Sequence, residues 1–194
     1  GAMEIPVLIV LAAIITFTVK LVLGQAFYIP SESMVPQLHV NDRIVVSKMS
    51  YRLHKPRRGD IVVFDCPPLA CAVKKDDAGI ISRTFRAILE GVGLRQPSTD
   101  EYIKRVIGLP GDVVEGKEGR VYVNGKLLYE PYLQAERAFT TPFKAVPVGP
   151  DELWVMGDNR INSSDSRVFG AIKLDTVVGR TVMKVWPLTD ASFL

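Results

Sequence analysis

The sequence predicts a mainly β fold of antiparallel strands, preceded by one apolar helix and interrupted by one short inserted helix. Three observations carry this. Short runs rich in β-branched residues, separated by turn residues, recur from Arg43 to Trp186. Asn124-Gly125 sits between two such runs, a strong hairpin signal that makes neighbouring strands antiparallel. Before Pro30 the pattern differs: Ile5 to Gly24 carries a single charge, Lys20, among Val, Leu, Ile, Ala, Phe and Thr.

That first segment suits a membrane. Twenty helical residues span about 30 Å, the thickness of a hydrocarbon core, and Lys20 lies near one end, where its stem can reach the interface. Residues 4–26 are therefore assigned to a transmembrane anchor. A cleaved secretory signal is the rival reading, disfavoured because the chain stays apolar through Phe27-Tyr28-Ile29 without a small-x-small site. Gly1-Ala2-Met3 resembles the remnant of a removed expression tag and sets residues 1–3 apart. Residues 27–194 form the β-rich domain, with an insertion over 66–100.

Within that domain Arg43–Ser47, Asp60–Phe64, Tyr102–Ile107, Arg120–Val123, Leu153–Met156 and Val177–Trp186 read as strands. Between them, residues 79–94 place Ile80, Ile81, Phe85, Ile88, Leu89 and Val92 at helical spacing, a helix packed on the sheet or resting on the membrane. Cys66 and Cys71 either oxidise, which suits a domain outside the cytoplasm, or remain two thiols. The net charge of +3 gives no reason to expect a nucleic-acid partner. Arg52, His54, Lys55, Arg57 and Arg58 gather before Gly59-Asp60, as a solvated turn or a contact for anionic lipid. Ligands at zinc spacing are absent, so no metal is expected.

The candidate chemistry lies at Ser33, just past the anchor in Ile29-Pro30-Ser31-Glu32-Ser33-Met34, and at Lys104 in Tyr102-Ile103-Lys104-Arg105-Val106-Ile107. A serine hydroxyl is a weak nucleophile until a neighbour takes its proton. The two histidines, His39 and His54, sit in no triad context, and the turn signal Asn41-Asp42 carries His39 away. A lysine can serve if burial among apolar groups disfavours its ammonium form. Lys104 has apolar neighbours, although spacing alone equally describes a surface lysine on a half-exposed strand. Anchor, serine and lysine together suggest a protease at a membrane surface.

Four segments in order resemble the bacterial type I signal peptidases: the Ser33 segment, Arg58-Gly59-Asp60-Ile61-Val62-Val63-Phe64, the Lys104 segment, and residues 157–167, Gly-Asp-Asn-Arg-Ile-Asn-Ser-Ser-Asp-Ser-Arg. The resemblance covers nearly the whole chain. It implies an antiparallel β catalytic domain of the signal peptidase and LexA type, free of cofactors. It also implies a membrane-bound serine endopeptidase that cuts signal peptides from exported preproteins after small residues at the first and third positions before the cut. The expected location is the plasma membrane, with the catalytic domain on the extracytoplasmic side, beside the bilayer and near the protein-export channel.

By the same resemblance Ser33 is the nucleophile and Lys104 the base, and Ser31 with the Ser33 amide forms the oxyanion hole. Ser163 orients the lysine. Asp158 pairs with Arg105, and Asp165 with Arg167. Phe27, Ile29, Met34, Leu38, Ile44, Val63 and Ile103 fall where the family lines its shallow pockets, and each reads equally well as ordinary core. Glu32 departs from the commonest pattern, which has glycine there; this acid and the long insertion resemble the actinobacterial branch. Strand alternation predicts that Glu32 faces away from the side shared by Ser31 and Ser33. Two competitors are a self-cleaving LexA-like protease, against which the anchor argues, and a non-catalytic peptide-binding domain, which would lack Ser33 or Lys104.

Overall fold

A computed structural model describes residues 25–71 and 101–194, together with Val7 and Leu11. The helix expected over 79–94, most of the 4–26 anchor and most of the 66–100 insertion lie outside the described residues. Among the described residues no helix is long and apolar enough to cross a membrane.

The larger sheet contains β1 (Gln25–Tyr28), β2 (Arg43–Ser47), β3 (Ile61–Asp65) and β4 (Glu101–Gly108). The smaller sheet is formed by β5 (Val113–Lys117), β6 (Arg120–Val123), β7 (Lys126–Leu127) and β8 (Phe143–Pro147). The chain then returns to the larger sheet with β9 (Glu152–Met156), β10 (Ile172–Lys173), β11 (Val177–Trp186) and β12 (Ser192–Phe193). The larger sheet has the order β1-β2-β11-β3-β4-β9-β10, with β12 on β11; the smaller runs β7-β6-β5-β8. Every pairing is antiparallel. The β6–β7 hairpin turns at Asn124 and Gly125, both at positive φ, the geometry for which an Asn-Gly pair is suited.

Apolar side chains sort into three clusters. One lies under β1 to β4 and includes Phe27, Met34, Leu38, Ile44, Val63 and Ile103. A second packs Val62, Phe64, Val106 and Val155 against Phe169, the last residue of a short helix, Ser166–Phe169. The third joins the sheets, with Ile107, Trp154 and Met156 meeting Val114, Val121 and Val123, and the Phe143 ring stacked 5.3 Å from Trp154. Each such buried side chain stabilises the fold by roughly 2 kcal/mol, so the third cluster anchors the smaller sheet firmly to the strands that carry the site.

Several features depart from the sequence expectation. Gln25 and Ala26, assigned to the anchor, belong to β1, which pairs with β2 and buries Phe27. β5 and β8 went unread: β5 alternates in burial, but one of its two buried positions is Gly116, which has no side chain to mark the pattern, and β8 is largely exposed and ends on Pro147. Within the basic cluster Arg58 is committed to the fold: it donates to the Ile107 carbonyl and to Asp112 at 3.0 Å, fixing the turn after β4. Cys66 is disulfide-bonded, the first of its two possible states.

Candidate active site

After Pro30 the chain leaves β1 and wraps into a single 3-10 turn, Glu32–Met34. This corrects the alternation argument for Glu32. A 3-10 turn has about three residues per revolution, so Glu32, Ser33 and Met34 point in three directions, and their exposure is graded accordingly: Glu32 exposed, Ser33 half-buried, Met34 buried at 1%. Met34 fastens the turn to the core beside Ile103.

The loop after β9 clasps this turn from the other side. Asn159 donates its backbone N–H to the Ser33 carbonyl at 3.0 Å and its side-chain amide to the Glu32 carbonyl at 3.1 Å. Such close passage requires glycine at 157: a Cβ there would lie 2.5 Å from the Ser33 carbonyl oxygen and 2.2 Å from Ser163 Oγ.

Lys104 comes from β4, in register with Val62 of β3. Its side chain is buried, at 3% exposure, and its Nζ donates to Ser33 Oγ at 2.8 Å and to the Ile103 carbonyl at 2.9 Å. Burial pushes the amine down to about 8, against the pull of Asp165 and Asp158, which favour the ammonium. Ser31 Oγ stands 3.4 Å from Ser33 Oγ. Arg105, next on the strand, makes a two-pronged pair with Asp158 at 2.8 and 2.6 Å, and its guanidinium lies 3.9 Å from the centre of the Tyr132 ring.

Asp165 receives two bonds of 2.8 Å from Arg167 and one from the Gly157 N–H. Burial acts to raise its carboxyl, but these donors outweigh it and hold the group below its ordinary value. Ser163 Oγ leans toward Asp165 and contributes to that depression, yet it is buried without a well-formed hydrogen bond and is not one of the two acceptors of Lys104. The hydrogen bond expected between Ser163 and the lysine is not formed; Asp165, which Ser163 approaches, is also one of the carboxylates that favour the lysine's ammonium.

Ser33 and Lys104 lie in a cleft of about 370 Å³ whose walls include Phe27, Ile29, Met34, Val63 and Ile103. Leu38 and Ile44, expected beside them, do not line it. Both are 0% exposed in the core behind it, where the lining residues themselves cover them. His39 is exposed and its backbone N–H is taken by Asp42, so it stands apart from the cleft.

Sequence reasoning missed several contributors. Tyr102, Asn162 and Ser164 also line the cleft. Arg160 is fully buried and grips Glu130 with both terminal nitrogens while its Nε donates to the Gly157 carbonyl at 3.0 Å. Asn159 and Arg160 stand inside the quoted Gly-Asp-Asn-Arg segment and could have been found there. Glu130, thirty residues away in a loop, carries no sequence signal.

A hydroxyl held against a buried amine at the floor of an apolar cleft, on antiparallel strands and without histidine, belongs to the class of serine proteases. Within that class the chain is a member of the signal peptidase, peptidase S26, family, whose profile matches residues 2–186. It is 38% identical over 192 residues to a probable signal peptidase I-2 of Synechocystis, covering 99% of this chain and 77% of that protein. Signal peptidase I of Mycobacterium tuberculosis is 34% identical, over 95% of this chain and 72% of its own. That of Bacillus caldolyticus is 32% identical, over 94% and 90%.

Proposed function

We propose that this chain cuts N-terminal signal peptides from exported preproteins with Ser33 as nucleophile and Lys104 as general base. The observation that carries the assignment is the 2.8 Å approach of a buried lysine nitrogen to a serine oxygen. Once Lys104 has lost its proton, its lone pair accepts the Ser33 proton while Ser33 Oγ attacks the scissile carbonyl. The Ser31 hydroxyl and the Ser33 amide hold the oxyanion; donors already aimed at that charge each lower the barrier by about 3 kcal/mol. The Lys104 ammonium then protonates the leaving amine, the C–N bond breaks, and the signal peptide remains as an ester on Ser33. Water, activated by the same amine, releases it.

Specificity follows from the cleft. Phe27, Ile29, Met34, Val63 and Ile103 leave shallow apolar room, suited to small side chains at the first and third positions before the cut. The substrate adds in extended form, so alternate side chains enter the floor. Residues 4–24 anchor the chain in the plasma membrane, and because β1 begins at Gln25 and Ser33 follows closely, the site sits at the extracytoplasmic face, beside the export channel from which signal peptides emerge. Ser163 tunes the lysine through Asp165, while Arg105, Asp158 and Arg167 brace the loop.

Preprotein cleavage by purified chain in detergent, followed between about pH 6 and pH 10, tests the reading. The expected rate rises with a one-proton slope through about 8, as Lys104 loses its proton. Ser33→Ala stays at background throughout. A flat profile, or full activity in Ser33→Ala, overturns the assignment.

A further inference from the structure

The cleft carries at its mouth a carboxylate, that of Glu32, which the cleavage chemistry does not use. Lys104 is occupied by the Ser33 hydroxyl and the Ile103 carbonyl, and the carboxylates acting on it are Asp165 and Asp158, not Glu32. Glu32 is exposed at the mouth, and among the described residues it forms no ion pair and its side chain no hydrogen bond.

Its position is nevertheless fixed. Asn159 holds both the Glu32 and the Ser33 carbonyls, and the 3-10 turn sets the Glu32 side chain apart from Ser33 and Met34. A carboxylate on a rigid turn, one residue from the nucleophile and without a cation of its own, is placed to read charge on whatever lies across Ser33.

We infer that Glu32 is a specificity-determining residue that favours substrates carrying lysine or arginine next to the residue whose carbonyl is cut. This rests on the function proposed above. In an extended substrate successive side chains point to opposite sides. When the residue before the cut enters the apolar floor, its two neighbours point away from that floor, toward the rim where Glu32 stands. A basic side chain there meets an unshared carboxylate, whereas an acidic one meets like charge.

The test uses the full chain in detergent and peptides differing only at the positions immediately before and after the residue that is cut, with Arg, Gln or Glu at each in turn. The parent protein is expected to prefer Arg over Glu by about 10-fold in kcat/KM at one or both positions, the size of an exposed charge pair gained and a repulsion avoided. Added salt should shrink that preference. In Glu32→Gln the ratio should fall to about 2-fold or less, and because it is taken within one enzyme, a general loss of rate leaves it untouched. A parent ratio near one at both positions, or a ratio that Glu32→Gln leaves intact, overturns the inference. The Gln peptides separate the two levels: if the parent fails to cut them, or Ser33→Ala cuts them, the proposed function fails rather than the role of Glu32.

Discussion

The larger sheet buries two lysines, and their surroundings are opposite. Lys104 on β4 and Lys184 on β11 are 3% and 4% exposed. Lys184 meets two carboxylates, Asp42 at 3.6 Å and Asp190 closer still, and it holds the Asp190 carboxyl below its ordinary value. Lys104 meets a hydroxyl and a carbonyl, with Asp165 and Asp158 acting only from behind. Burial alone thus does not make a base. What matters is whether the buried nitrogen is given a counter-charge in contact: Lys104 on β4 has none, whereas Lys184 on β11 has two, from the turn before β2 and from the segment after β11.

Replacing each lysine by methionine, which keeps the stem and removes the amine, separates the two roles. Lys104→Met is expected to lower kcat for preprotein cleavage by about 10⁴-fold, the scale seen when one member of a nucleophile and base pair is lost. Single-turnover measurements check this. Retention of more than a tenth of the parent rate would mean that the amine on β4 is no more a base than the one on β11.

Stability sharpens the contrast, because here Lys104→Met is expected to help. The folded amine titrates at about 8 and the unfolded one at 10.5. Between those values the unfolded chain binds more protons, so parent stability rises with pH across that window and is lowest, relative to a neutral side chain, at and below pH 8. Lys104→Met should therefore exceed the parent by up to about 3 kcal/mol at pH 7, with the gain vanishing toward pH 10.5. Urea unfolding at several pH values measures it. A site that destabilises the fold in order to keep an amine buried, so that it gives up its proton near pH 8, is the pattern expected of function rather than architecture.

The sequence shows these two lysines very unequally. Lys104 stood out because Ile103, Val106 and Ile107 surround it and because its segment resembles a family motif, while Lys184 is one polar position in the long strand Val177–Trp186 and nothing in its neighbours marks it. Strands whose alternation is clean, such as β2 and β6, were legible to the residue, and so was β11, by its length and its β-branched residues. The Ser33 turn was not: a 3-10 turn of one revolution leaves no periodic trace, so an alternating pattern was read into it and Glu32 was turned away from Ser33 for the wrong reason. The pairing of Arg160 with Glu130 was equally hidden, since nothing local in residues 129–137 announces a partner buried behind the site. Leu38 and Ile44 show the converse limit, because an apolar residue that walls a cleft and one that lies just behind it are alike in sequence.

Lys184→Met completes the comparison with the smallest effect and the opposite sign. It leaves Asp42, itself 4% exposed, without the cation that offsets its burial. Asp42 also accepts the His39 N–H at 2.8 Å and so holds the turn between the Ser33 segment and β2. The expected loss is about 5 °C in Tm at pH 7. The alkaline rise in cleavage rate should keep its midpoint, because Lys184 is not among the groups that act on Lys104. Thermal melts and the pH profile of the same variant test both halves. A shifted midpoint with an unchanged Tm would reverse the roles given to the two lysines, making β11 part of the chemistry and leaving the carboxylates around Lys184 without the structural task that their geometry describes.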